Sequence, residues 1–179
     1  MANRHLNRVL APDYLDGLVE WTDDELRARR AECHQLEEAA SYLRRLTQVR
    51  LDIIGAELDG RRRGMASTGT VVERLTRVLA GSSEHTAVGV RGRLISDNPR
   101  DDQEAWAAGR VDAAAGGVAF EAVDTLDDDA LGSLTDSLVT LEHDVSRERR
   151  RLHEVYDAIQ AELVQRYRTG RSTVDRLLS

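Results

Sequence analysis

The sequence predicts an all-α protein: an antiparallel two-helix coiled coil with a short accessory helix and a long flexible linker. Charged residues make up 32% of the 179 residues and aromatic residues only 4%. This composition is typical of long, solvent-exposed helices rather than of a thick globular core. Residues 21–58 align with residues 126–163 with 13 identities in 38 positions. Since neither segment contains proline, the alignment indicates that one long helix occurs twice.

The two long helices have recognisable beginnings and ends. Thr22 opens a capping box, so the first helix is predicted over residues 22–62. Asp127 can cap the second helix, which is predicted over residues 127–168, and Gly170 follows its end. Each long helix therefore spans about eleven turns.

The remaining segments are short or have the composition of loops. Residues 1–21 form an N-terminal segment with room for a helical turn, and residues 169–179 form a C-terminal tail. Glycine-rich and polar stretches make residues 63–126 a linker, of which much of 81–120 is expected to be mobile. Within the linker, apolar residues at helical spacing predict a short accessory helix at about 70–79.

Each long helix has a narrow apolar face, its seam, along which the two helices can pack. At about 100° per residue, the apolar side chains of each copy fall on one side of the helix. The seam consists of Leu36, Ala40, Leu43, Thr47, Ile54 and Leu58 in the first helix, and of Leu141, Val145, Leu152, Ile159 and Leu163 in the second. Seams this narrow predict coiled-coil packing.

A polar stripe of five residues lies beside each seam and points most directly to function. The first copy consists of Glu37, Ser41, Arg44, Gln48 and Asp52, and the second consists of Glu142, Ser146, Arg149, His153 and Asp157. Steps of three and four residues place each set on one helix face. Like flanks of two packed helices meet on the same side only when the helices run antiparallel. The stripes therefore predict an antiparallel hairpin with one approximately twofold site.

The residue types in the stripe suit a guanine nucleotide. A carboxylate only accepts hydrogen bonds, which matches the adjacent N1–H and N2–H2 donors of guanine. Arginine can donate to guanine O6 and N7 or to phosphate. A single stripe of this kind is usually solvated surface, but here four of its five positions are identical between the copies, against nine of the other 33 aligned positions. The stripe is better preserved than the seam, which favours ligand binding over a purely structural repeat.

Charge and cysteine content argue against several other classes of protein. A net charge of -7 argues against nonspecific DNA binding and favours a partner with basic surfaces. Cys33 is the single cysteine, so neither an intramolecular disulfide nor a cysteine-based zinc site is expected. No signal peptide or membrane span is expected, which makes the cytoplasm the default compartment. No ordered catalytic motif occurs, so the chain is not expected to be an enzyme.

At the two stripes the chain resembles the RsiG family, actinobacterial anti-sigma factors controlled by the second messenger cyclic di-GMP. The family signature is Glu, three residues, Ser, two residues, Arg, three residues, Gln, three residues, Asp. The first copy matches it fully and the second departs from it only at His153, whose imidazole can still donate to phosphate. The resemblance implies that all ten stripe residues hold a dimer of cyclic di-GMP, without a metal. It also implies that the nucleotide-bound protein sequesters a WhiG-type sigma factor, repressing sporulation genes without binding DNA or a membrane.

A structural role is the main alternative to the sensor hypothesis. The stripes could be interhelical salt bridges of a coiled-coil adaptor without a nucleotide ligand, in which Glu37 and Asp52 pair with Arg149 and Arg44. A nucleotide hydrolase ranks third, because nothing in the sequence holds a metal ion or orients a water molecule. The adaptor and the sensor differ in whether any nucleotide binds.

Overall fold

The chain is helical, as the sequence predicts. The computed structural model describes residues 2–64 and 101–170. These ranges contain the α-helices α1 (Ala2–Val9), α2 (Asp23–Arg62), α3 (Asp101–Ala114) and α4 (Asp128–Arg168), and the 3-10 helices Leu18–Glu20 and Phe120–Thr125. No strand occurs in the described residues, so the all-α class is confirmed. Within the same ranges, no helix combines the length and the apolar character needed to cross a bilayer.

Side-chain caps determine where the two long helices begin. Thr22 Oγ1 accepts a hydrogen bond from the Glu25 backbone N–H at 3.2 Å, and the Glu25 carboxylate accepts one from the Thr22 N–H at 2.7 Å. Asp127 Oδ1 accepts a hydrogen bond from the Ala130 N–H at 2.8 Å. Because Thr22 and Asp127 are caps, α2 and α4 each begin one residue later than predicted. At the other end of α4, Gly170 has a φ of 68°, a left-handed conformation that favours glycine.

The chain forms two compact units, and each contains parts of both long helices. The terminal unit combines Met1–Ala40 with Arg147–Ser179, and the central unit comprises Ser41–Ser146. Each unit holds the same parts: a short helix, a 3-10 helix and the start of one long helix, together with the end of the other long helix. The duplication in the structure therefore extends to the segment before each long helix, where the sequences of the two copies no longer align.

Within each unit, α2 and α4 run antiparallel. Residue numbers that rise along α2 are matched by numbers that fall along α4. The cross-helix hydrogen bonds run from Arg30 to Gln160 (2.7 Å) and from Arg149 to Glu37 (2.9 Å) in the terminal unit, and from Arg44 to Glu142 (2.7 Å) and from Arg61 to Asp128 (2.9 Å) in the central unit. The direction of the helices agrees with the predicted hairpin.

Each unit has its own apolar core along the seam. The terminal core includes Leu6, Val9, Leu26, Cys33, Ala40, Leu152, Ile159 and Leu163, and the central core includes Leu43, Ile54, Val111, Phe120, Val123, Leu131, Leu138 and Val145. Full burial of one such Leu or Ile side chain contributes about 1.5–3 kcal/mol. Of the predicted seam, Leu36 and Leu58 are only half-buried. Burial raises the pKa of the Cys33 thiol to about 11, so this side chain packs as a small protonated hydrophobe.

Part of the predicted linker is helical, and the prediction of a flexible linker is wrong for residues 101–125. This range contains α3 and the second 3-10 helix. Ala107 and Val111 of α3, and Ala115 directly after it, are buried at a spacing of four residues, so this segment has an apolar face despite its many small residues. The glycine pair that suggested a loop has φ values of 61° and 82° and lies just beyond the end of the helix.

The N-terminal segment also contains more structure than the predicted helical turn. His5 and Arg8 on α1 both contact the Glu32 carboxylate on α2. These contacts and the buried apolar side chains of α1 together hold α1 against α2. The predicted accessory helix at 70–79 and the tail beyond Gly170 lie outside the described residues.

An arginine near the end of α4 joins that helix to the start of α2. Arg166 is only 8% exposed. Its guanidinium donates to Glu162 on the same helix at 2.7 Å and to Asp23 on α2 at 3.0 Å. It also donates to the backbone carbonyl oxygens of Val19 and Trp21, at 3.1 and 2.6 Å. We call this arrangement of one guanidinium and its acceptors a clasp.

The central unit contains an equivalent clasp centred on Arg61. This guanidinium donates to Glu57 at 2.9 Å, to Asp128 at 2.9 Å and to the carbonyl oxygen of Asp124 at 3.1 Å. Arg61 and Arg166 occupy equivalent positions of the duplication, three residues beyond the aligned segment. The two clasps are therefore a duplicated device that joins the end of each long helix to the start of the other.

Replacing Arg166 with Ala will lower the free energy of unfolding by about 2–3 kcal/mol, because the buried Glu162 carboxylate loses its cation. Urea denaturation followed by circular dichroism measures the change. Arg168→Ala, at an exposed position in the same turn, is the control and will change the stability by less than about 0.5 kcal/mol. Equal effects of the two substitutions would contradict the clasp.

Candidate ligand-binding site

The stripe residues lie beside the buried seam on α2 and α4, and none of them belongs to the core. Asp52, His153 and Asp157 are exposed and the other seven are half-buried. The terminal unit contains Glu37, Arg149, His153 and Asp157, which we call the terminal cluster; the central unit contains Ser41, Arg44, Gln48, Asp52, Glu142 and Ser146, which we call the central cluster. Each unit therefore brings together residues from both copies of the stripe.

In the central cluster, Glu142 is the acceptor for two donors. Arg44 Nε donates to Glu142 Oε1 at 2.7 Å, and Ser146 Oγ donates to the same oxygen at 3.1 Å. The hydrogen bond from Arg44 is the main reason why the pKa of the Glu142 carboxyl group lies below its ordinary value; partial burial opposes this shift and the Ser146 hydrogen bond adds to it. Glu142 is thus held ionised as a hydrogen-bond acceptor.

In the terminal cluster, Glu37 has the equivalent role. Arg149 donates to Glu37 Oε1 from Nε at 3.2 Å and from Nη2 at 2.9 Å. His153 adds a further contact, because its Nε2 lies 3.5 Å from the same oxygen. In both clusters, the arginine of one stripe copy therefore pairs with the glutamate of the other copy. We call these the crossed pairs.

The crossed pairs are partly accessible to solvent. The side chains are 36% exposed for Arg44 and 18% for Glu142, and 26% for Arg149 and 22% for Glu37. Ion pairs at this level of exposure contribute only about 0–1 kcal/mol. A ligand that offers these groups stronger hydrogen-bonding partners can therefore displace the crossed pairs at low cost.

Three stripe residues are not engaged in this way. Within residues 2–64 and 101–170, the side chains of Gln48, Asp52 and Asp157 form no hydrogen bond or ion pair. The adaptor hypothesis predicts that Asp52 pairs with Arg44, but Arg44 pairs with Glu142 instead. Two carboxyl groups and an amide thus remain available on the stripe.

The structure also shows contacts of arginine side chains that the spacing of the stripe does not reveal. The Arg50 guanidinium stacks on the Phe120 ring at 4.0 Å, and its Nε is buried without a hydrogen-bond partner among the described residues. The clasp arginines were missed because the alignment of the two copies ended at Leu58 and Leu163. A signal was present, since the arginine three residues further on is identical in both copies. In the described ranges, no group of three His, Cys, Asp or Glu side chains could hold a metal ion.

The geometry defines a class of protein: a helical chain with an internal repeat, in which each unit pairs stretches of α2 and α4 and contains residues from both copies of the stripe. The model of the RsiG-like family matches residues 12–79 and 117–179, which include both long helices and all ten stripe residues. The chain belongs to the RsiG-like family, a family of regulatory anti-sigma factors. Comparison with curated proteins finds no match.

Replacing Arg44 with Ala will raise the pKa of the Glu142 carboxyl group toward its ordinary value, because the largest cause of its lowering is removed. Carboxyl 13C chemical shifts followed through an acid titration measure this pKa. A lowered pKa stabilises the folded state at pH values above the ordinary carboxyl range, and this contribution is lost as the pH falls through the lowered pKa.

The stability difference between wild type and the Arg44→Ala variant should therefore be present at neutral pH and shrink on acidification. Ser137→Ala, at an exposed position on α4 outside the stripe, is the control. An unchanged Glu142 titration in the Arg44→Ala variant would show that the crossed pair does not set this pKa.

Proposed function

We propose that this protein is a cyclic di-GMP-dependent anti-sigma factor, a non-enzymatic regulator that sequesters a WhiG-type sigma factor in its nucleotide-bound state. The observation that carries the proposal is the crossed pairing. In each unit, an arginine from one stripe copy lies against a glutamate from the other copy. A ligand that engages either cluster must therefore engage both copies of the stripe, which accounts for their joint preservation.

The chemistry of each cluster suits one guanine nucleotide. Glu37 or Glu142 can exchange its arginine donor for the N1–H and N2–H2 groups of guanine. The released arginine can then donate to guanine O6 and N7 or to a phosphodiester oxygen. Because the crossed pairs are partly exposed, each contributes only about 0–1 kcal/mol that the nucleotide must replace. The glutamate acceptor and the arginine donor of each crossed pair are therefore already positioned to form hydrogen bonds with the nucleotide.

The stripe residues outside the crossed pairs favour a sensor over an adaptor. Interhelical salt bridges explain the positions of Glu37, Arg44, Glu142 and Arg149, as the adaptor hypothesis requires. They do not explain the identity of Asp52 and Asp157. Both residues are exposed, and neither forms an ion pair within the described ranges. Ligand binding supplies a reason, since ribose hydroxyls and base amino groups are donors that a free carboxylate can accept from.

Control of the sigma factor follows from linkage between the two binding events. If bound nucleotide raises the affinity for the sigma factor by some factor, the sigma factor raises the affinity for nucleotide by the same factor. The net charge of -7 favours association with basic surfaces of such a partner. Falling nucleotide levels would then release the sigma factor.

Replacing Asp157 with Asn will weaken cyclic di-GMP binding at least about tenfold, because a charged acceptor is lost from the stripe. Isothermal titration calorimetry on the purified chain measures the affinity, with GTP and cyclic di-AMP as ligand controls. Asp136→Asn, the same substitution at another exposed position of α4, is the matched control and will leave the affinity unchanged. Far-UV circular dichroism should show unchanged helicity in both variants. If no cyclic di-GMP binds to wild type, with or without the sigma factor, the adaptor is the correct alternative.

A WhiG-type sigma factor will be retained by the immobilised chain in the presence of cyclic di-GMP and will elute when the nucleotide is removed. The Asp157→Asn variant should retain it poorly at nucleotide concentrations that saturate wild type. Retention that is equal with and without nucleotide would leave an anti-sigma role but remove the proposed nucleotide control.

A further inference from the structure

His153 is the one stripe residue that differs between the two copies, and it makes the two clusters chemically unequal. Its Nε2 lies 3.5 Å from Glu37 Oε1. In the central cluster, Glu142 accepts hydrogen bonds from Arg44 and Ser146, while the equivalent residue Gln48 forms no hydrogen bond within the described ranges. His153 thus places a titratable donor beside Glu37, whereas Gln48, its counterpart in the central cluster, does not titrate.

Protonation of His153 changes the charge of the terminal cluster alone. With a neutral imidazole, each cluster contains two carboxylates and one guanidinium, a formal charge of about -1 in both. A protonated imidazole brings the formal charge of the terminal cluster to about zero. The amide of Gln48 does not titrate, so the charge of the central cluster stays unchanged. Each cyclic di-GMP molecule carries two negatively charged phosphodiesters, so protonation removes repulsion at one cluster only.

The surroundings of His153 in the terminal unit are well defined. Its side chain is 56% exposed, so a ligand can reach it. Glu37 faces it from α2, and on α4 Arg149 and Asp157 lie one turn before and one turn after it. The other charged residues within four positions of His153 on α4 are Arg150, Arg151 and Glu154, and Arg151 donates to Glu154 at 3.1 Å. On α2, His34 and Glu38 flank Glu37 in sequence and lie 3.3 Å apart.

We propose that His153 makes nucleotide binding at the terminal cluster tighten as the pH falls, while binding at the central cluster does not respond. This inference rests on the proposed function and assigns a regulation to the same site. Through linkage, nucleotide binding at the terminal cluster is accompanied by proton uptake at His153. Since the group is exposed, the effect expected from one charge is about three- to fivefold in affinity.

The test compares wild type with His153→Gln, which introduces the residue found at the equivalent position of the other copy. Cyclic di-GMP is titrated calorimetrically into the full chain at about pH 8 and about pH 5.5, a range in which imidazole gains its proton. Wild-type affinity should rise about three- to fivefold more than that of the variant. Titration in two buffers of different ionisation enthalpy should show proton uptake in wild type that is absent from the variant. Any pH dependence of the affinity that wild type and the variant share is assigned to the protonation of other histidines.

Each outcome of this comparison bears on the inference. Equal pH profiles for the two proteins would overturn the role of His153 and leave the proposed function standing. A wild-type affinity that falls on acidification relative to the variant would also overturn it, because protonated His153 would then compete with nucleotide for Glu37. If neither protein bound nucleotide at either pH, the proposed function would fail and this inference with it.

Discussion

The contact between the apolar seams of α2 and α4 is the constraint on which the rest of the structure depends. Each seam is a narrow apolar face that suits packing against another helix, and most of its residues are buried in units where α2 and α4 run antiparallel. Antiparallel packing places a stripe residue of one copy opposite a different stripe residue of the other. Arg44 therefore meets Glu142 and Arg149 meets Glu37. The chemistry of the stripes is a direct consequence of how the seams are buried.

The long helices could be predicted closely from sequence because their signals are local. A capping residue such as Thr22 or Asp127 acts within one turn, and the seam periodicity persists along the whole helix. The segment around α3 could not be predicted in this way. Its buried face consists of small residues such as Ala107 and Ala115, and its composition resembles a linker. What stabilises it is packing within the central unit, which a local pattern does not encode.

The positions of the candidate site could be predicted, but the pairing of its residues could not. Helical spacing is sufficient to place five side chains on one face. Which carboxylate meets Arg44 depends on the register between two helices, and one residue of slip changes the partner. The adaptor hypothesis accordingly anticipated the Glu37–Arg149 pair and expected Asp52, rather than Glu142, beside Arg44. The clasp arginines could have been found from their identity in the two copies, but the carbonyl oxygens to which Arg166 donates could not, because no side-chain pattern reveals their position.

The presence of both stripe copies on one polypeptide has a consequence for how such a protein can change. In a symmetric homodimer every substitution appears twice, so both halves of a shared surface must tolerate it at once. Here the equivalent positions are encoded separately, and position 48 is Gln while its counterpart is His153. A repeat within a single chain thus allows its two halves to differ in chemistry, which an assembly of identical subunits cannot do.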